Sequence, residues 1–142
     1  MAIVQIQTVS FRQELPQAVH NLLTDTLKLA LYTSTASINA DTTVYTTADE
    51  TSGTGYTAGG KVVTGATIAN SNGVVYVNFD DVIWTPASLT AAGALLYNAS
   101  KGNKSIAVLS FGASKTAVNN FTVTMPSNTY TSALLRFTSP SN

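Results

Sequence analysis

The stretch Ala69-Asn70-Ser71-Asn72-Gly73-Val74-Val75-Tyr76-Val77-Asn78-Phe79-Asp80 decides the fold class. At its centre Asn72-Gly73 is the strongest short hairpin signal, because a two-residue hairpin turn needs positive φ at both central positions. After the turn Val75, Val77 and Phe79 alternate with Tyr76, Asn78 and Asp80, the period of two that a strand imposes on its faces. Before it, Lys61–Ala69 carries Val62, Val63 and Ile68 and reads as the partner strand.

The same punctuation recurs outward in both directions. Toward the C-terminus, Ile83-Trp84 runs into the break Thr85-Pro86, and residues 89–97 end in Leu95-Leu96-Tyr97. Residues 98–103 read as a turn, Ser105–Phe111 as an alternating strand, and Gly112–Thr116 as a second turn. Phe121–Met125 is a strand stopped by Pro126, and Tyr130–Phe137 is the last. Toward the N-terminus, Leu27, Leu29 and Leu31 share one face of a strand over 26–33, with Lys28, Ala30 and Tyr32 opposite, so it is expected to be half-buried. Residues 2–9 read as a first strand with Val4 and Ile6 on one face. Short strands at this spacing predict an all-β fold, an antiparallel β-sandwich or jelly-roll-like barrel.

One short N-terminal helix interrupts the pattern. Ser10 and Gln13 have capping-box spacing, which favours a start just after Ser10. Pro16 opposes it, since the residue before a proline avoids the α region. The compromise is a helix from about Pro16 to Leu23, with Leu15, Val19, Leu22 and Leu23 on one stripe. The polar stretch from Ser34 to Gly60 is too long for a structureless loop. It is expected to hold a helical turn or short strand near Val44–Ala48 and a surface projection around its glycines. The organisation expected is a strand or arm over residues 1–12 and a single β-rich domain over 13–142.

Composition narrows the function classes. A chain of 142 residues buries about two-thirds of its unfolded surface, enough for a core without staples. There is no cysteine, so disulfides, thiolate metal sites and cysteine nucleophiles are excluded, and one histidine excludes a His-rich metal site. Seven basic residues balance seven acidic ones, which gives no electrostatic basis for binding nucleic acid or an anionic membrane. The N-terminus has no basic segment before an apolar run, so no signal peptide is expected, and no apolar run is long enough to cross a membrane. Charged residues make up 10% of the chain, against about 25% in a typical soluble domain. The polar surface is therefore built from Thr, Ser and Asn, which suits a protein packed against other proteins.

Two glycine patterns fail on context. Gly53-Thr54-Gly55-Tyr56-Thr57-Ala58 meets the loose dinucleotide pattern, and Gly55 through Gly60-Lys61 resembles a P-loop. Both need a helix N-terminus after the glycines to receive phosphate, whereas Lys61-Val62-Val63 reads as strand. Val62 also stands where a P-loop has the hydroxyl for magnesium. Asp80-Asp81 fits a turn better than an acid/base pair, since neighbouring strand residues point to opposite faces. His20 would need a nucleophile and an orienting partner to serve as a base. No enzyme, cofactor or metal is expected. Tyr56, flanked by Gly55 and Thr57-Ala58-Gly59-Gly60, has little local chain to bury it and is expected to make an intermolecular contact.

Two groups of residues carry a resemblance. The first is Phe11-Arg12-Gln13-Glu14-Leu15, His20-Asn21 and Asp25-Thr26-Leu27-Lys28-Leu29-Ala30-Leu31-Tyr32-Thr33. The second is Thr54-Gly55-Tyr56-Thr57-Ala58-Gly59-Gly60-Lys61, then Phe79-Asp80-Asp81, Trp84 and Ala92-Gly93-Ala94-Leu95-Leu96-Tyr97-Asn98. Together, over roughly residues 11–125, they resemble small virion structural proteins of tailed bacteriophages, of the head-decoration or cement kind. The resemblance implies a component of the virion, assembled in the host cytoplasm, with the major capsid protein as partner and a homo-oligomer, a trimer favoured. It carries no active-site residues. The contacts expected are Ile3, Val4, Ile6 and Phe11 in the N-terminal segment, and Gly55, Tyr56, Gly59 and Gly60 in the glycine loop. The alternatives are a tail, neck or fibre-base component, and a carbohydrate-binding β-sandwich using Tyr56 or Trp84 as a stacking platform.

Overall fold

A computed structural model describes Ile3 and residues 5–138 of the chain. In chain order the elements are β1 (Ile6–Gln7), α1 (Val9–Glu14), a 3-10 turn (Leu15–Gln17), β2 (Leu27–Tyr32), β3 (Lys61–Val62), β4 (Thr67–Ser71) and β5 (Val74–Asn78). There follow β6 (Val82–Trp84), β7 (Leu89–Asn98), a second 3-10 turn (Ala99–Lys101), β8 (Lys104–Ala117), β9 (Phe121–Val123) and β10 (Leu135–Phe137). The fold is all-β with one short N-terminal helix, as the patterning predicts.

The β4–β5 hairpin forms where Asn72-Gly73 places it. Ser71 faces Val74 across the turn, and Asn72 and Gly73 have φ of 52° and 77°, both positive as a tight primed turn requires. All strand pairs are antiparallel and fall into three sheets, in the orders β1-β8-β7-β2-β3, β10-β5-β4 and β6-β9. One face of the five-stranded sheet carries Leu29, Leu31, Leu96 and Leu109. It packs on Val77 from β5, Trp84 from β6, Phe121 from β9 and Leu135 from β10, so the two smaller sheets together form the second layer over one core.

The opposite face of the large sheet is covered as well. Ala30, Tyr32, Leu95, Tyr97 and Val108 pack beneath Ala36, Ile38 and Tyr45. The half-buried reading of β2 is thereby corrected: every residue from Leu29 to Tyr32 is buried, on both faces. The cause is the 34–60 stretch, which folds back over the sheet instead of projecting from it. Isolated bridges pin it at Val44 to Lys104, Glu50 to Tyr32 and Thr54 to Ser88. The short strand expected near Val44–Ala48 is reduced to the single bridge at Val44.

Five boundaries move. The helix begins at Val9, capped by the Thr8 hydroxyl, which accepts from the Phe11 amide at 3.3 Å. Pro16 sits in the following 3-10 turn, and Ala18 at φ 60° ends the helical path, so the stripe Leu15–Leu23 never forms. Leu22 turns into the core and Leu23 to solvent. Among the described residues the first strand is Ile6–Gln7, and Thr8 leaves it to cap the helix. The strand expected over Lys61–Ala69 is two strands, β3 and β4, in different sheets. The turn expected over Gly112–Thr116 is a bulge: β8 runs through it, setting Phe111–Ser114 opposite the single residue Ala92. The expected final strand is confined to its last three residues, β10, after turns and bends from Asn128 to Leu134.

Candidate functional site

A cleft of about 1050 Å³ lies where the three sheets meet. Its walls are the β1–β8 edge of the large sheet, β9 of the two-stranded sheet, and β10 with the segment before it. The floor is aromatic: Phe111 of β8 packs on Phe121 of β9 with ring centroids 6.0 Å apart, and Phe121 meets Trp84 edge-on at 6.3 Å. Ser110, Thr116, Asn120 and Thr122 are among the polar residues that line the cleft. The ionisable side chains that line it are Lys115 and Arg136, both cations. This chemistry suits the docking of a polypeptide.

The glycine loop is organised around one carboxylate. Glu50 accepts from the Tyr45 hydroxyl at 2.6 Å on Oε1, and from the Tyr56 hydroxyl and the Gly59 amide, at 2.8 Å, on Oε2. Tyr97 donates to the Gly59 carbonyl at 2.6 Å and stacks on Tyr45 with centroids 4.8 Å apart. The Leu31 amide donates to the Tyr56 oxygen at 3.0 Å, which ties the loop to β2. Burial first, and then the Glu50 charge, pushes the phenols of Tyr45, Tyr56 and Tyr97 above the ordinary tyrosine value. Neutral phenols are the donors this arrangement requires.

A second polar centre surrounds His20. Its ring accepts at Nδ1 from the Asn98 amide at 3.0 Å and donates from Nε2 to Glu14 at 2.9 Å. The direction follows from Asn98 Nδ2, which can only donate and also reaches Asp25 at 2.8 Å. Lys101 closes the network on Asp25 at 3.0 Å. With both ring nitrogens engaged and the side chain fully buried, His20 is a structural link between α1 and the end of β7. No group of three His, Cys, Asp or Glu side chains gathers in metal-binding geometry among the described residues.

The expected contact residues do not come together. Ile6 is 37% exposed and lines the cleft. Ile3 is partly buried, lying against Gly93 and the cluster beneath the 34–60 segment. Val4 lies outside the described residues. Phe11 is 0% exposed, packed between His20 and Phe137, so its place is the core and it is withdrawn as a contact. Tyr56 turns inward onto Trp84 at 6.1 Å, with its hydroxyl on Glu50, so a freely projecting Tyr56 is likewise corrected. Gly55 and Gly60 lie against the Pro86 and Leu29 carbonyls, and Gly59 is buried against Tyr97.

The cleft itself was invisible to sequence reasoning. Its signals, the short β9 and the Lys115 flanked by small residues, acquire meaning only once the strand order is known. No family model, no curated protein and no solved structure matches this chain.

Proposed function

We propose that this protein is a non-catalytic structural component of a tailed-phage particle that decorates the capsid and stabilises it by binding at capsomer junctions. The observation that carries this reading is the surface chemistry. With seven basic and seven acidic residues in 142, the polar exterior is made of hydroxyls and amides. Such a surface lacks the mixed charge that keeps free proteins apart. The resemblance over residues 11–125 supplies the kind of particle, and the cleft supplies a docking surface with Ile6 at its edge.

The mechanism is non-covalent clamping. Apolar burial contributes about 25 cal/mol per Å² removed from water, and a homo-oligomer, a trimer in this reading, engages several capsid subunits at once. Linked contacts of that kind make dissociation slow even when each one is modest.

Quantitative mass spectrometry of purified virions tests the reading. A copy number near that of the major capsid protein, or a simple fraction of it, supports lattice decoration. A handful of copies moves the protein to the tail or neck. Absence from the particle overturns the virion reading.

A further inference from the structure

Side chains on a strand alternate between faces, so a strand that shows a groove only one face contributes every second residue. β9 and its flanks contribute Asn120 through Thr124 without a gap. The backbone edge of β9, on the side away from β6, therefore faces the cleft. That edge has no strand partner among the described residues. A row of unpaired amides and carbonyls is a template onto which an extended chain adds. The facing wall is less available. β1 covers β8 at Ala107 and Val108, and beyond it the bulge at Phe111–Ser114 breaks the ladder.

Charge selects what would add. The cleft's ionisable groups are the cations Lys115 and Arg136, and no carboxylate balances them. They lie toward opposite ends. Arg136 accepts at its carbonyl from Gln7, the residue paired with Ala107, while Lys115 lies beyond the bulge on β8. Their partners on β7, Leu96 opposite Ala107 and Ala91 opposite Lys115, set a span of about five residues of extended chain, or roughly 17 Å. A second copy is the poorer occupant, since all seven acidic residues of this chain lie in segments that are already folded.

We propose that the cleft accepts an extended acidic segment of a partner protein, which adds as a strand to the free edge of β9 and sets its carboxylates on Lys115 and Arg136. The proposal rests on the partner-binding half of the reading above and is independent of the particle's identity. Main-chain pairing gives the affinity, alternate side chains enter the aromatic floor, and the two cations set polarity and salt dependence.

The test is a titration of the purified, isotope-labelled chain with the peptide Glu-Thr-Val-Thr-Val-Thr-Glu, whose glutamates and valines share one face when extended, followed by amide NMR. The expected result is saturable shifts at Phe121–Val123. Affinity should fall about tenfold when the terminal glutamates are replaced by glutamine, or in the double variant Lys115→Gln, Arg136→Gln. N-methylation of alternate peptide amides should abolish binding. Equal binding of a lysine-ended peptide, undiminished binding after N-methylation, or no shift at millimolar peptide overturns the proposal. Self-association that the peptide fails to displace assigns the cleft to a second copy and also overturns it. Because the assay uses no virions, its failure leaves the copy-number result standing, and the reverse.

Discussion

Tyr56 donates its hydroxyl hydrogen to Glu50, six residues earlier in the chain, and this bond folds the glycine loop inward. The other Glu50 oxygen holds Tyr45, so one carboxylate links Tyr45 on the covered face of the sheet to Tyr56, which packs on Trp84 in the main core. Glu50→Gln keeps the shape but replaces one acceptor oxygen by a donor. Hydrogen bonds to a charged group contribute about 1.5–3 kcal/mol each, so a loss of about 1–3 kcal/mol is expected in urea unfolding. A change below about 0.5 kcal/mol would mean that the carboxylate is not what fastens the loop.

The same cluster fixes the alkaline behaviour. Burial, with the Glu50 charge beside it, raises the Tyr45 and Tyr56 phenols in the folded chain. A raised folded value contributes stability that is fully present below the unfolded tyrosine value of about 10 and is lost as pH rises above it. Phenolate absorbance from these residues should therefore appear together with unfolding as pH is raised. Ionisation with the fold intact would contradict the burial of this cluster.

Asp25 governs the acid limb. Burial pushes its carboxyl up, but donors from the Asn21 amide, Asn98 and Lys101 outweigh that and hold it down to about 2. A depressed carboxyl contributes stability present above its unfolded value of 3.8 and lost as pH falls toward 2. Asp25→Asn should be less stable than the parent at neutral pH and should lose less of its stability between about pH 4 and pH 2. Parallel pH profiles for the two chains would refute the assignment.

These anchors explain what could be read in advance. The hairpin at Asn72-Gly73 and the leucine face of β2 are local statements, since each follows from turn chemistry or from period two. The cover on the second face of β2 is not local. Nothing near Ala30 and Tyr32 announces that Ile38 and Tyr45 will return over them, because Glu50 reads as an ordinary polar loop residue and Tyr56 as an outward-facing contact. Phe11 was legible as apolar but not as buried, since its partners His20 and Phe137 arrive from both ends of the chain. The cleft depends on three separate sheets and was legible at no single residue.

Two glycines with positive φ, Gly60 in the loop and Gly73 in the hairpin turn, differ in what stands beside them. A Cβ on Gly60 would lie 1.8 Å from the Leu29 carbonyl oxygen, at φ 81°, whereas one on Gly73 would meet nothing within 4 Å. Gly73→Ala should cost only the left-handed backbone penalty, about 1–2 kcal/mol. Gly60→Ala must also push the loop off β2, and a further loss of about 2 kcal/mol or more is expected in the same unfolding assay. Equal costs would mean that the loop does not lie against the strand.

The N-terminal segment requires a finer probe than deletion. Thr8 is fully buried, caps α1, and its amide donates to the Ile106 carbonyl at 3.0 Å, while Ser105 donates to its hydroxyl at 2.9 Å. Removing residues 1–9 strips this cap, worth about 0.5–2 kcal/mol, together with the β1–β8 pairing, so loss of partner binding would report unfolding as readily as a lost contact. Ile6→Lys isolates the contact. Its side chain is already 37% exposed beside the cleft, so stability should stay within about 0.5 kcal/mol of the parent. If Ile6 belongs to the docking surface, the variant should bind capsids at least tenfold more weakly, since a lysine desolvated in an interface without a partner costs several times RT. Full binding with unchanged stability would move the interface away from this edge of the sheet.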